Sequence, residues 1–232
     1  VTIDRSIDLG LLEEDITDKN FINHIVMHQP NFLFNYSSVG YQSYFVDKEI
    51  DSLMEGMHFD AYRLGAVRSN IEEIEPIVRN ADIVSFDINA LKSSDSSAYC
   101  EPNPNGFSGE EACRITRYAG LSDKLTSIGF YNYNPIFDKN GNSAMLLAQM
   151  IWYFIEGFES RKGDYPVATK SNYTKYHVAI EEDSQELLFY KSEFSGRWWM
   201  EVPFPVDLKS KFVRHQMVPC SYMDYENANN GI

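Results

Sequence analysis

The chain has 232 residues, enough for one large domain, or a domain with an appendage, around a sizeable core. Its 34 acidic residues against 20 basic ones give a net charge of −14, a balance that repels phosphate backbones and argues against a nucleic-acid partner. The 3 cysteines, Cys100, Cys113 and Cys220, form no C-x-x-C pair, which reads as reduced intracellular thiols in a cytoplasmic protein and not as a disulfide framework or zinc site. No signal peptide is visible, and the longest apolar run, Met145 to Ile155, is interrupted by Gln149 and too short to cross a membrane.

Val1-Thr2-Ile3 is strand-like from the first residue, so the sequence is expected to begin inside a domain whose earlier part is absent. Asp4, Ser6 and Asp8 follow at i, i+2 and i+4, one face of a strand if the chain stays extended. Leu9 to Asn20 reads as an acidic loop or short helix, and Phe21 to His28 as one or two helical turns stopped by Pro30. Asn31 to Tyr36 predicts a buried strand that ends near Gly40. The apolar spacing of Ile50, Leu53, Met54 and Met57 predicts a helix over 47–57. A short strand over 62–67 and a helix over 71–79 with glutamates near its start come next.

Ala81 to Asp87 is an apolar strand running into the polar turn Ile88-Asn89-Ala90. Asp87 and Asn89 sit at i and i+2 and would share one side at the strand's carboxyl end, where open α/β sheets bind ligands. The plain alternative is a buried strand ending in a solvated turn. Residues 92–109 form a long polar loop, 110–119 a helix, 124–131 a strand and 131–135 a turn. Ser143 is placed to cap a strongly apolar helix reaching Phe158. Strands alternating with helices predict a mostly parallel α/β sheet over residues 1–160. Residues 161–232 form a C-terminal extension packed on that domain, with strands over 176–180, 186–190 and 197–202. Trp198 and Trp199 read as core or interface anchors, and residues 224–232 as poorly ordered.

The run Ser85-Phe86-Asp87-Ile88-Asn89-Ala90-Leu91 resembles the S-F-D-x-D motif of the ureohydrolase superfamily, which holds arginases, agmatinases and formimidoylglutamases. Three further segments fall in family order. Asp4-Arg5-Ser6-Ile7-Asp8 stands at the D-A-H-x-D position, Gly106 to Glu111 at the G-G-L-T-x-x-E helix start, and Gly129 to Pro135 at the D-x-x-E-x-N-P turn. The Phe34 to Gly40 strand and Ala66-Val67-Arg68 look closest to the formimidoylglutamase branch.

The resemblance implies a three-layer arginase-like fold, a dimanganese site, a small amidine substrate and a homo-oligomer. It also implies metal-ligand positions at Asp4, Asp8 and Asp87, which keep the family residue. Ser6 replaces a histidine ligand, Asn89 an aspartate, and Asn132 the glutamate that grips a guanidinium group in arginases. These losses lead us to expect an eroded centre with zero or one manganese, in a catalytically impaired protein acting by binding or assembly, with an as yet unknown protein partner. The alternative is an active hydrolase of a linear amidine such as formimidoylglutamate. No substitute centre stands out: His24 and His28 share a helix face without an H-E-x-x-H pattern and read as surface residues, and Cys100 reads as an ordinary thiol.

Overall fold

The computed structural model describes residues 1–10, 15–166, 172–180, 185–202 and 215–231. The first sheet has five parallel strands in the order β3-β2-β1-β4-β5: β1 (Thr2–Ile3), β2 (Ser37–Tyr41), β3 (Asp60–Arg63), β4 (Ile83–Asp87) and β5 (Ser127–Tyr131). Parallel neighbours need crossovers, which are right-handed, so helices cover both faces. Helices α1 (Phe21–Met27) and α2 (Lys48–Gly56) enclose one apolar cluster around Ile22, Tyr41 and Met54. Helices α3 (Leu64–Ser69), α4 (Ile74–Arg79), α5 (Gly109–Gly120) and α6 (Asn142–Glu159) enclose the other, around Ile3, Val84, Phe86, Ile115 and Met150.

Local chemistry explains where these helices begin and how they meet. Ser108 and Glu111 form a reciprocal capping box at the start of α5: Ser108 Oγ accepts from the Glu111 N–H at 3.2 Å, and Glu111 Oε2 from the Ser108 N–H at 2.7 Å. Helices α5 and α6 meet backbone to backbone at two glycines. A Cβ on Gly120 would sit 2.2 Å from the Phe154 carbonyl oxygen, and one on Gly157 2.4 Å from that of Arg117.

A second sheet is antiparallel, in the order β6-β7-β8-β9: β6 (Tyr173–Ile180), β7 (Gln185–Ser192), β8 (Trp198–Glu201) and β9 (Met217–Cys220). Helix α7 (Tyr222–Asn229) covers one face of it, with Tyr225 stacked on Trp198 at 4.9 Å between centroids. Trp199 is buried on the other face, beneath the Arg79 guanidinium 4.4 Å from its ring. Arg79 Nη2 donates to the carbonyls of Trp198 (3.0 Å) and Cys220 (3.2 Å), and its Nε lies 3.1 Å from Glu75 Oε1. Arg197 Nε approaches the same Glu75 oxygen at 3.3 Å. These contacts join the second sheet to α4.

Several predicted elements shift. The strand expected over 31–36 lies at Ser37–Tyr41, and Phe32 is 81% exposed. Asn31 Oδ1 accepts from the Leu33 N–H and Asn35 Oδ1 from the Tyr36 N–H, so turn-type bonds hold the backbone until β1 is there to pair with. β1 ends at Ile3, so Asp4, Ser6 and Asp8 lie in the segment beyond it. The strand expected over 62–67 is β3 at its start and α3 after Arg63. Ser143 is not the cap of α6; its hydroxyl accepts from the Ser97 and Ala98 N–H groups, while Asp138 accepts from Ser143 and Ala144. Residues 224–229, within the stretch expected to be poorly ordered, belong to α7, which starts behind a Ser221–Asp224 capping box. The expected loop over 9–20 lies partly outside the described residues.

Candidate active site

Strand order runs outward in both directions from the β1–β4 pair, so the crevice at their carboxyl ends is the topological switch point of the sheet. Asp4 follows β1 directly, its N–H donating to the Val39 carbonyl at 3.1 Å, and Asp87 closes β4. Asp4, Asp8 and Asp87 line one cavity of about 460 Å³, together with Asp18, Asn132 and the apolar side chains of Phe21, Ile25 and Tyr131. The sequence reading thus brings its three retained carboxylates together. It missed Asp18 and Tyr131, whose local patterns carry no signal.

The substituted positions are bound into the acidic ones. Ser6 Oγ donates to Asp8 Oδ1 at 3.2 Å, with Asp4 Oδ1 at 3.5 Å, and the Ser6 N–H donates to Asp4 Oδ1 at 3.2 Å. Asn89 does not line the cavity; its backbone N–H donates to Asp87 Oδ1 at 2.8 Å. Asn132 takes a left-handed conformation (φ 61°) in the turn after β5, and its Nδ2 donates to Asp87 Oδ2 at 2.5 Å. A glutamate at 132 would instead set a second anion beside Asp87.

Burial raises the carboxyl pKa values here. Asp4 stands well above the usual carboxylate range, through burial first and the neighbouring Asp8 charge second. Burial pushes Asp8 up to about 6 against the hydrogen bonds it accepts, and Asp87 up to about 7 with the Asp4 charge adding to it.

Arg5, also unforeseen, is buried between the rings of Phe45 (4.6 Å) and Tyr99 (4.9 Å). Its Nη2 meets Glu101 Oε2 at 2.5 Å and its Nη1 donates to the Glu101 carbonyl at 3.1 Å. The long loop after β4 is thereby tied to the segment after β1 that bears Asp4. His24 and His28 line an adjoining recess with Phe32, which shares the walls of Phe21 and Ile25 with the carboxylate cavity. All three cysteines are free thiols.

The donor set does not fit a dinuclear manganese centre. The cavity offers carboxylates and no imidazole, both oxygens of Asp87 already accept hydrogen bonds, and Asp4 and Asp8 are bridged through Ser6. Among the described residues, no three His, Cys, Asp or Glu side chains are grouped so as to hold a metal ion.

A parallel α/β sheet with carboxylates gathered at its switch point defines the general class. Comparison then gives the family. The arginase family profile matches residues 17–156, more than half of the chain, and the chain belongs to that family. Solved structures agree on the fold. The manganese-containing formiminoglutamase of Trypanosoma cruzi superposes with a TM-score of 0.64 at 19% identity, covering 69% of this chain and 56% of that one. The Bacillus subtilis formimidoylglutamase gives 0.60 at 14% identity, over 69% and 53%. The Entamoeba histolytica arginase bound to L-ornithine gives 0.55 at 20% identity, over 66% and 59%. The chain thus spans just over half the length of these structures. No curated protein sequence matches it. Among the described residues, no helix is long and apolar enough to cross a membrane.

Proposed function

We propose that this chain is an arginase-family protein with an eroded dimanganese centre, catalytically impaired and acting by binding or assembly. One observation carries the reading: the carboxylates at positions where a metal-dependent relative would place ligands are engaged in hydrogen bonds with the substituted residues beside them. Ser6 links Asp8 to Asp4, and Asn132 donates into Asp87. Carboxyl groups held this way are poorer ligands for a hard divalent cation, because binding must first break those hydrogen bonds. The reduced thiols and acidic surface fit a cytoplasmic protein without a nucleic-acid partner.

The second reading is an active metal-dependent hydrolase of a small linear amidine such as formimidoylglutamate. The convergence of Asp4, Asp8 and Asp87 on a cavity of small-molecule size favours it. Metal content separates the two. The chain is loaded with manganese, desalted and measured by inductively coupled plasma mass spectrometry. We expect no retained manganese and no turnover of formimidoylglutamate. Two equivalents per chain, with turnover abolished by Asp87→Ala, would establish the hydrolase instead.

A further inference from the structure

The long loop after β4 is fixed at two points, and the short stretch between them hangs from side chains alone. At one point the Ala98 N–H donates to Ser143 Oγ at 3.1 Å and the Ala98 carbonyl accepts from the Asn134 N–H at 2.8 Å. At the other, the Asn103 carbonyl accepts from the Ser93 N–H at 2.8 Å and from the Ser93 hydroxyl at 2.6 Å. Residues 99–102 in between make no hydrogen bond to the main chain of any described residue. Arg5 supplies their attachment: its guanidinium bonds the Glu101 carboxylate and carbonyl and lies against the Tyr99 ring. Arg5 stands at the alanine position of the D-A-H-x-D pattern, where a methyl group could not reach this loop.

We infer that residues 99–102 form a flap, latched shut by Arg5, whose release admits small molecules to Asn89 and Asp87 from the carboxyl edge of the sheet. The flap lies over that edge, because Arg5, Phe45 and Tyr99 follow the ends of three neighbouring strands, β1, β2 and β4. Beneath it the Tyr99 hydroxyl reaches the Asn89 side chain, within range of the Asp87 charge. Asn89 is buried, and its Oδ1 has no hydrogen-bond partner. A buried acceptor left in that state gains most when a donor from water or a ligand reaches it. The two halves of the latch are unequal. The Arg5 side chain is 7% exposed and that of Glu101 57%. Opening therefore begins at Glu101, whose carboxylate exchanges Arg5 for water, while Arg5 stays against Phe45. Closure is favoured because the open state leaves the guanidinium without its counter-ion. The flap works in this way whether or not the acidic cavity binds metal, so its test is separate from metal content and turnover.

Thiol labelling of the full chain tests the inference. Cys100→Ser removes the exposed thiol, and Asn89→Cys places one beneath the flap. The reagent is N-ethylmaleimide, which is uncharged and so is not repelled by the net charge of −14, and the readout is the labelling rate of each thiol by peptide mass spectrometry. The introduced thiol should react slowly. Adding Glu101→Gln or Arg5→Met should speed it about 10-fold or more, the loss expected from a charged hydrogen bond. Cys113 and Cys220, buried elsewhere, should keep their rates. Three results overturn the inference: an introduced thiol as reactive as a free one in the latched chain, a rate indifferent to both latch substitutions, or an acceleration shared by Cys113 and Cys220. The last would make the pair a prop of the whole fold. Should Asn89→Cys fail to fold, chymotrypsin cleavage after Tyr99 replaces it. Glu101→Gln should then speed cutting at that bond by a similar factor, and an unchanged rate overturns the flap.

Discussion

Asp87 is held from two sides at the end of its strand. It closes β4 at the switch point, yet its two oxygens are taken by the Asn89 N–H and the Asn132 amide. Raised pKa values at Asp4, Asp8 and Asp87 mean that the fold retains protons which the unfolded chain releases above about pH 4. Stability from these groups is therefore greatest at acid pH and falls as pH rises through about 6 and about 7. Asp4→Asn removes one member of the crowded pair and keeps an acceptor for the Ser6 N–H. It should raise stability at pH 8 by roughly 1–2 kcal/mol, or about 2–8 °C, and change little at pH 4, by scanning calorimetry. Destabilisation at pH 8 would contradict the proton-retaining arrangement. Asn132→Asp should do the reverse, costing roughly 2 kcal/mol at pH 8 through a lost donor and an added anion. That Asp4, Asp8 and Asp87 would share one site was expected from the family resemblance and not from alternation, which fails once β1 ends at Ile3; the structure places all three on one cavity. The roles of Ser6, Asn89 and Asn132 were not legible in the sequence, because what each donates to depends on loops that close only in three dimensions.

Helices with both a period and a punctuation mark were readable, and those lacking either were not. The α5 start was visible as Ser108-Gly109-Glu110-Glu111, and its capping box makes a sharp prediction: Ser108→Ala should cost about 1 kcal/mol in urea unfolding. Gly120→Ala, in the same helix and one methyl larger, should cost about 3 kcal/mol or more, since the added carbon meets the Phe154 carbonyl. Equal effects would mean that α5 and α6 do not touch at their backbones. The misplaced strand before Ser37 shows the limit of composition. Phe32, Leu33 and Phe34 look like a core strand, but asparagine side chains on either side claim the backbone for turns. Helix α7 was missed because its anchors, Trp198 and Phe189, lie on strands distant in sequence.

Across the whole molecule, two sheets of different kinds are joined in part by a buried cation, Arg79, with Arg197 beside it. Arg79 is 2% exposed and serves Glu75, two carbonyls and the Trp199 ring. Arg79→Ala should cost roughly 3–5 kcal/mol, read by urea unfolding, because it leaves buried acceptors and part of Glu75 unpaired. Arg79→Lys should recover only part, since a point charge cannot serve acceptors on two strands at once. The sequence offered this residue merely as the last position of a helix; its partners lie 119 and 141 positions away. Both of those partners are main-chain oxygens. These two hydrogen bonds of the joint therefore read the path of the chain, while the Trp199 ring and Arg197 add contacts that depend on side-chain identity. Residues of β8 and β9 that face away from α4 are free to drift without loosening the second sheet from the first, provided the two strands keep their course past α4 and Trp199 and Arg197 stay.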